Sequence, residues 1–341
     1  MCQVPGTGDW IFQQVVQFAG LDYGGSDSAI STGESTATTS ISSSVFEFTY
    51  ANGRRYHSDR FRTEYFMPND ENEQARLDLY HHIFLQLLSG KLCFAPLNKP
   101  QRVLDVGTGT GIWAIEFADD NPQAEVIGTD ISPIQPSWVP PNCKFEVDDM
   151  EEPWTYDDDY FDYIHMRCLS GSFCDWESVL RNAYDATKPG GYLEFQDYGC
   201  ELFTADGVPQ TMPDPKRPFT CWLYHIVRAA EKIGRPLVIA RSMKELMERA
   251  GFVDVIESTA IWPIGAWPKD KGLKEIGKWG ALGITDSLYP FAVRLLTKGL
   301  GWSKDEVIKL CGEVENELPK SKYYFHGWFV YGRKPENSTE Y

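Results

Sequence analysis

Apolar and polar positions follow two periods along this chain, and the alternation between them lays out its elements. From residue 71 to 90, apolar side chains stand at 77, 80, 83, 84, 87 and 88. That spacing predicts a one-sided helix ending at Gly90. Short, nearly unbroken apolar runs then predict strands buried on both faces at 102–106, 125–129, 143–149, 161–166 and 192–197. Helical patterns lie between them at 111–119 and 175–187, and the KPGG turn at 188–191 ends the second. A helix over 242–252 leads into a strand at 253–258, and a last strand falls within 323–335. Two stretches interrupt the rhythm: a Pro-rich loop and helix within 198–238, and a helical insert over 259–320. Upstream, residues 22–44 are rich in Ser, Thr and Gly with few large apolar groups, which predicts a disordered arm.

Strand, helix, strand repeated in this way predicts an α/β fold: a Rossmann-like, mostly parallel sheet carrying helical cap insertions. The expected organisation is a disordered arm over 1–44, an N-terminal helical segment over 45–100 and a cofactor-binding core over 101–197. A cap segment at 198–238, a core helix and strand at 239–257, a helical cap insertion at 258–320, and a last strand and tail at 321–341 complete it. Loops at the carboxyl ends of the strands carry the ligand in this architecture, so the two cap segments are expected over the active face.

Bulk composition narrows the partners. A chain of 341 residues, 42% hydrophobic, can bury one large core plus a cap. Its net charge of −17 argues against a nucleic-acid partner held by phosphate neutralisation. No apolar run is long enough to span a membrane, and the first residues lack a basic leader followed by an apolar core, so a cytoplasmic protein is expected. The eight cysteines form no C-x-x-C pair, so neither a disulfide framework nor a zinc site is expected, and no metal is predicted.

The densest chemistry lies in VLDVGTGTGIWAIE, residues 103–116. Asp105 ends a buried strand, Gly107, Gly109 and Gly111 follow, and Asp130 closes the next strand. Glycines let the backbone turn sharply and bring a ligand against main-chain N–H groups. A carboxylate at the second strand's end can accept both hydroxyls of a ribose. Ile112 stands where a dinucleotide fingerprint would require its third glycine. G-x-G-x-G after an acid resembles the loop of class I S-adenosylmethionine (SAM) methyltransferases, which implies SAM as cofactor. Asp105 is expected to organise the turn and accept from the SAM ammonium, and Thr108 and Ile131 to join the cofactor site.

Residues 53–197 resemble one family closely, the LaeA-like methyltransferases of filamentous fungi, linked to secondary metabolism. The matching segments are GRRYH (53–57), PNDENEQARLDLYHH (68–82), LDVGTGTGIWAIEFA (104–118), IGTDISPIQPSWVPPNCKFEVDDMEEPW (127–154), FDYIHMRCLSGSFCDW (161–176) and KPGGYLEFQD (188–197). WPIGAWPKDKGLKEIGKW (262–279) and YGRKP (331–335) extend the likeness to roughly residues 45–335. The resemblance implies a class I methyltransferase fold, its sheet mostly parallel with an antiparallel last strand, and an adenine-recognition point at Asp149 and Met150, where a carboxylate accepts the exocyclic amine. It leaves open a small-molecule methyltransferase or a regulator, the latter nuclear and with protein partners.

Further candidates follow from position. His165 and Arg167 end the fourth core strand, where the methyl acceptor is expected. A neutral histidine there suits a general base for a hydroxyl or amine, and equally a wall of the cofactor site. Arg167 suits a bidentate hold on a carboxylate acceptor or a structural ion pair. Tyr56, in the basic–aromatic Arg54-Arg55-Tyr56-His57 cluster, is a candidate for the SAM carboxylate. Trp222, His225, Trp262 and Trp267 fall in the cap segments and are candidates for an acceptor pocket, or for the cap's own core. His81 and His82 lie on the amphipathic helix and read more simply as core or surface residues.

Overall fold

The computed structural model describes residues 46–61, 63 and 65–336, so the expected arm over 1–44 lies outside the described residues. A hairpin comes first, β1 (Phe48–Ala51) and β2 (Arg54–Ser58). It precedes helix α1 (Glu71–Leu87), whose N-cap Asp70 accepts from the Glu73 N–H and is itself gripped by Arg54. The segment expected to be helical over 45–100 therefore begins with strand. Turn residues Asn52 (φ 56°) and Gly53 (φ 75°) both adopt the left-handed conformation a tight hairpin requires.

The main sheet is built from β3 (Arg102–Val106), β4 (Glu125–Asp130), β5 (Cys143–Val147), β6 (Phe161–Arg167) and β7 (Thr187–Tyr198). Helices α2 (Ile112–Asp120) and α3 (Trp176–Ala186) connect them. After a short β8 (Phe203–Thr204) come α4 (Pro218–Lys232), α5 (Met243–Ala250) and β9 (Val253–Ile264). The long α6 (Lys271–Arg294), α7 (Lys304–Glu317) and β10 (Tyr323–Arg333) finish the chain. Strand order is β5-β4-β3-β6-β7-β10, with β9 on the far side of β10. β3 to β7 pair in parallel, and β10 runs antiparallel to both β7 and β9. This is the class I methyltransferase sheet.

Alternate residues of each strand face opposite layers. Leu104, Ile164 and Leu193 pack against α3 and α5, whereas Val103, Val126 and Tyr163 pack under Trp113 and Phe117 of α2. A third apolar cluster joins α1, α4, α6 and α7 into a cap, with Tyr80, Phe84, Trp222, Leu288 and Val307 at its centre.

Two boundaries differ from expectation. β9 continues to Ile264 rather than stopping at 258, because β10 pairs with it as far as Tyr323 and Ile264, so the helical insertion begins later. β7 starts at Thr187, and the KPGG turn is absorbed into the strand as a kink where Gly190 (φ 78°) donates to the Lys334 carbonyl.

Candidate functional site

The carboxyl ends of β3, β4 and β6 open into a cleft, as the topology requires. After β3 the chain turns through Gly107 (φ 65°), Gly109 (φ 59°) and Gly111 (φ 81°), all left-handed. Gly111 is the N-cap of α2, and a Cβ there would run into the Phe145 ring. Asp105 holds the turn from beneath, accepting from the Thr108 hydroxyl at 2.5 Å, while the Thr108 N–H donates to the Thr129 carbonyl. Asp130 accepts from the Gly109 and Ser132 N–H groups, each at 2.9 Å, and so ties the loop to the end of β4. Burial raises the Asp130 carboxyl to about 6, against the lowering effect of those two N–H groups.

Gly107, Gly109, Asp130, Ile131, Asp149, Met150 and Arg167 line the main cleft. Asp105 and Thr108 line a smaller recess beside it, which shares Gly107, Gly109 and Arg167. Met150 is buried, and its carbonyl accepts from the Trp154 indole. Asp149 accepts from the Glu151 N–H, and burial raises its carboxyl.

Several lining residues had no sequence-level assignment. The connection from β2 to α1 crosses the cleft and contributes Thr63, Tyr65 and Asn69. Arg55 orients Asn69 by donating to its side-chain and main-chain oxygens, and Asn69 donates to the Ser132 hydroxyl at 3.0 Å. Arg235 pins Thr63 at 2.5 Å and Glu151 at 3.0 Å. Glu73 and Leu77 of α1 complete this wall, the first paired with buried Arg76. The signal for these lay in the polar PND sequence before α1, whose Asp70 is legible only as a helix cap.

Six of the expected site residues outside the glycine turn line neither opening. His165 is wholly enclosed and lines neither opening: its Nδ1 bonds to Asp105 at 2.7 Å, and its ring stacks on Trp113 at 3.7 Å. Asp105, as a carboxylate, can only accept, so Nδ1 carries the hydrogen, and Nε2 is sealed without a partner. Such a ring orients Asp105 and supports the loop, and it has no path to an acceptor. Tyr56 is likewise buried, with Arg294 stacked 4.0 Å over its ring, and lines neither opening. Trp222 donates to the Leu288 carbonyl inside the cap, and His225 packs on Trp302. Trp267 donates to the Tyr323 carbonyl, and Trp262 sits behind Tyr80, Phe84 and Tyr198. These four rings pack against the cap and line neither opening.

The His165 correction has a direct test. His165→Phe keeps the stack on Trp113 and deletes the bond to Asp105. Titration calorimetry with S-adenosylhomocysteine (SAH) is expected to show affinity about tenfold weaker, together with a lower melting temperature. Unchanged affinity and melting temperature would show that the bond from His165 to Asp105 does not support the loop.

Comparison with known proteins identifies the family. A methyltransferase-domain family model matches residues 79–257. Methyltransferase pytC of Aspergillus terreus is 40% identical over 288 residues, covering 84% of this chain and 87% of that protein. The secondary metabolism regulator LAE1 of Cochliobolus heterostrophus is 36% identical over 296 residues, covering 84% and 94%. The protein-methionine methyltransferase laeA of Emericella nidulans is 31% identical over 299 residues, covering 85% and 77%. With a glycine loop and acid at the strand ends, the family model over half its length, and these relatives over most of it, the chain belongs to the LaeA-like family of class I SAM-dependent methyltransferases.

Proposed function

We propose that this protein methylates an oxygen or nitrogen atom (carboxylate, hydroxyl or amine) of a small-molecule secondary metabolite. The observation that carries this is the form of the site: α1 and its preceding loop wall the cleft, and the recess at the Arg167 end is small, with Leu77, Tyr80 and Ile112 beside His81, Thr110 and Arg167. A small recess of mixed polarity suits a small acceptor.

The cleft fits SAM. A Cβ at Gly107 would press on the Leu169 side chain at the cleft wall, and the left-handed backbone there (φ 65°) is one that glycine adopts freely. In this reading Asp130 takes the ribose hydroxyls, Asp149 and Met150 the adenine, and Asp105 with Gly107, Thr108, Gly109 and Gly111 the amino-acid end. SAM supplies an electrophilic methyl on its sulfonium. The chain's own contribution is to orient donor and acceptor and exclude water, with most of the driving force already in the donor.

The second reading, a LaeA-like regulator working with protein partners in the nucleus, is favoured by the relatives named as secondary metabolism regulators. Comparative metabolite profiling of a deletion strain separates the two. One accumulating precursor, lighter than its product by one methylene, is the expected outcome. Collapse of many unrelated products would overturn it in favour of the regulator.

A further inference from the structure

Arg167 is a half-buried cation with no carboxylate partner among the described residues. It ends β6 between the two openings, lines both, and its guanidinium lies 5.5 Å from the Phe84 ring centroid. Its Nη2 bonds at 2.8 Å not to a carboxylate but to Nδ1 of His81. Among the described residues no Asp or Glu oxygen forms an ion pair with it. The acids around it are committed elsewhere: Asp105 to His165 and Thr108, Asp78 to the Thr110 hydroxyl, Glu116 to Nε2 of His81.

The His81 link decides what Arg167 presents. An arginine has no lone pair to offer, so Nδ1 of His81 accepts and Nε2 carries the hydrogen, donated to Glu116 at 2.9 Å. Burial and the neighbouring guanidinium push His81 down to about 4, which keeps it neutral at ordinary pH. A neutral acceptor fixes one edge of the guanidinium and leaves its charge uncancelled. The Nε and Nη1 groups have no hydrogen-bond partner among the described residues and are not sealed from the cleft. A half-buried guanidinium held in this way keeps donors free for an anion, and its planar fork matches a carboxylate.

We propose that Arg167 is a carboxylate receptor at the methyl-transfer end of the cleft, with His81 and Glu116 as its positioning residues. The inference rests on the cofactor placement above. The carboxylate belongs either to the amino-acid end of the donor or to an acidic acceptor, and the chemistry of recognition is the same. Substrates lacking both groups are disfavoured, because the guanidinium would stay unpaired.

The test titrates the full chain with SAH and with 5′-methylthioadenosine, which lacks the amino-acid carboxylate, and then titrates SAH-saturated protein with acetate and benzoate. If the donor supplies the carboxylate, Arg167→Met weakens SAH by about 10–100-fold and leaves methylthioadenosine unchanged. If the acceptor supplies it, Arg167→Met leaves both nucleosides unchanged and abolishes benzoate binding seen in the wild type. His81→Leu is expected to follow Arg167→Met, whereas His81→Gln, which keeps an acceptor for Arg167 and a donor for Glu116, stays within about threefold of wild type. Arg167→Lys keeps the charge without the fork and is expected to be intermediate, which guards against a misfolded methionine variant. Intact SAH affinity in the wild type, with Arg167→Met altering none of the ligands, would overturn the proposal. Failure of the wild type to bind either nucleoside is a different signature, and it would sink the cofactor placement along with the receptor.

Discussion

Gly107→Val is expected to abolish measurable SAH binding, a loss of at least about 100-fold, and to lower the melting temperature by several degrees. Two effects add. Gly107 sits at φ 65°, where a β-branched residue is strained by about 1–2 kcal/mol or more. A side chain there would also strike Leu169, which closes the cleft wall, and overpacking of that kind costs about 1–3 kcal/mol. The effects separate experimentally. Gly107→Ala meets only the movable end of Leu169 and is expected to bind weakly rather than not at all. Adding Leu169→Ala to Gly107→Val should recover part of the melting temperature by relieving the collision, but little affinity, because the loop still cannot hold its left-handed turn. Calorimetric titration with SAH and thermal melts of the four proteins check this. Near-wild-type affinity in Gly107→Val would mean that the cofactor does not lie against this loop.

The strands and the loop were legible because their physics is local. β3 and β4 are buried on both faces and read as apolar runs, and a glycine turn followed by an acid at the next strand's end has few alternative explanations. What the sequence could not supply is which long-range neighbour covers a given side chain. His165 and Arg167 lie two residues apart on one face of β6. The first falls under Trp113 of α2 and is sealed, while the second passes that helix and meets His81 and Phe84 of α1. His81 looked bland because its partners, Glu116 and Arg167, stand 35 and 86 residues away. The cap tryptophans were ambiguous for the same reason: an indole on a helix suits a ligand wall and a helix interface equally until the facing helix is known. The end of β9 was hidden by Pro263, which argues against a strand interior; β9 is the edge strand, where a missing N–H is tolerated.

Asp130→Asn is expected to raise stability at neutral pH while destroying function, a divergence that a merely structural acid would not show. The Asp130 carboxyl, raised to about 6, is ionised at pH 7.5 only at a cost, because its neutral form is the one that burial favours. Against an unfolded value of 3.8, that difference corresponds to about 2–3 kcal/mol of destabilisation, absent below pH 4 and fully present above pH 6. The asparagine removes the charge but turns its amide toward either Gly109 or Ser132 and loses one of their bonds, which returns about 1 kcal/mol of the gain. The net expectation is a variant about 1–2 kcal/mol more stable at pH 7.5, with an advantage that shrinks as pH falls through 6 toward 4. Asp197, also raised to about 6, titrates in both proteins and drops out of the difference. Ligand binding runs the other way. Ribose hydroxyls donate to the ionised carboxylate, so SAH binding releases a proton near pH 6, and wild-type affinity should fall as pH is lowered through that value. In Asp130→Asn the affinity should be at least tenfold weaker at pH 7.5 and flat across the range. Melts and calorimetry from pH 4.5 to 8 measure both. A wild-type affinity independent of pH, or a variant that binds SAH as tightly as the wild type, would remove Asp130 from the cofactor site and leave it a tether for the glycine loop alone.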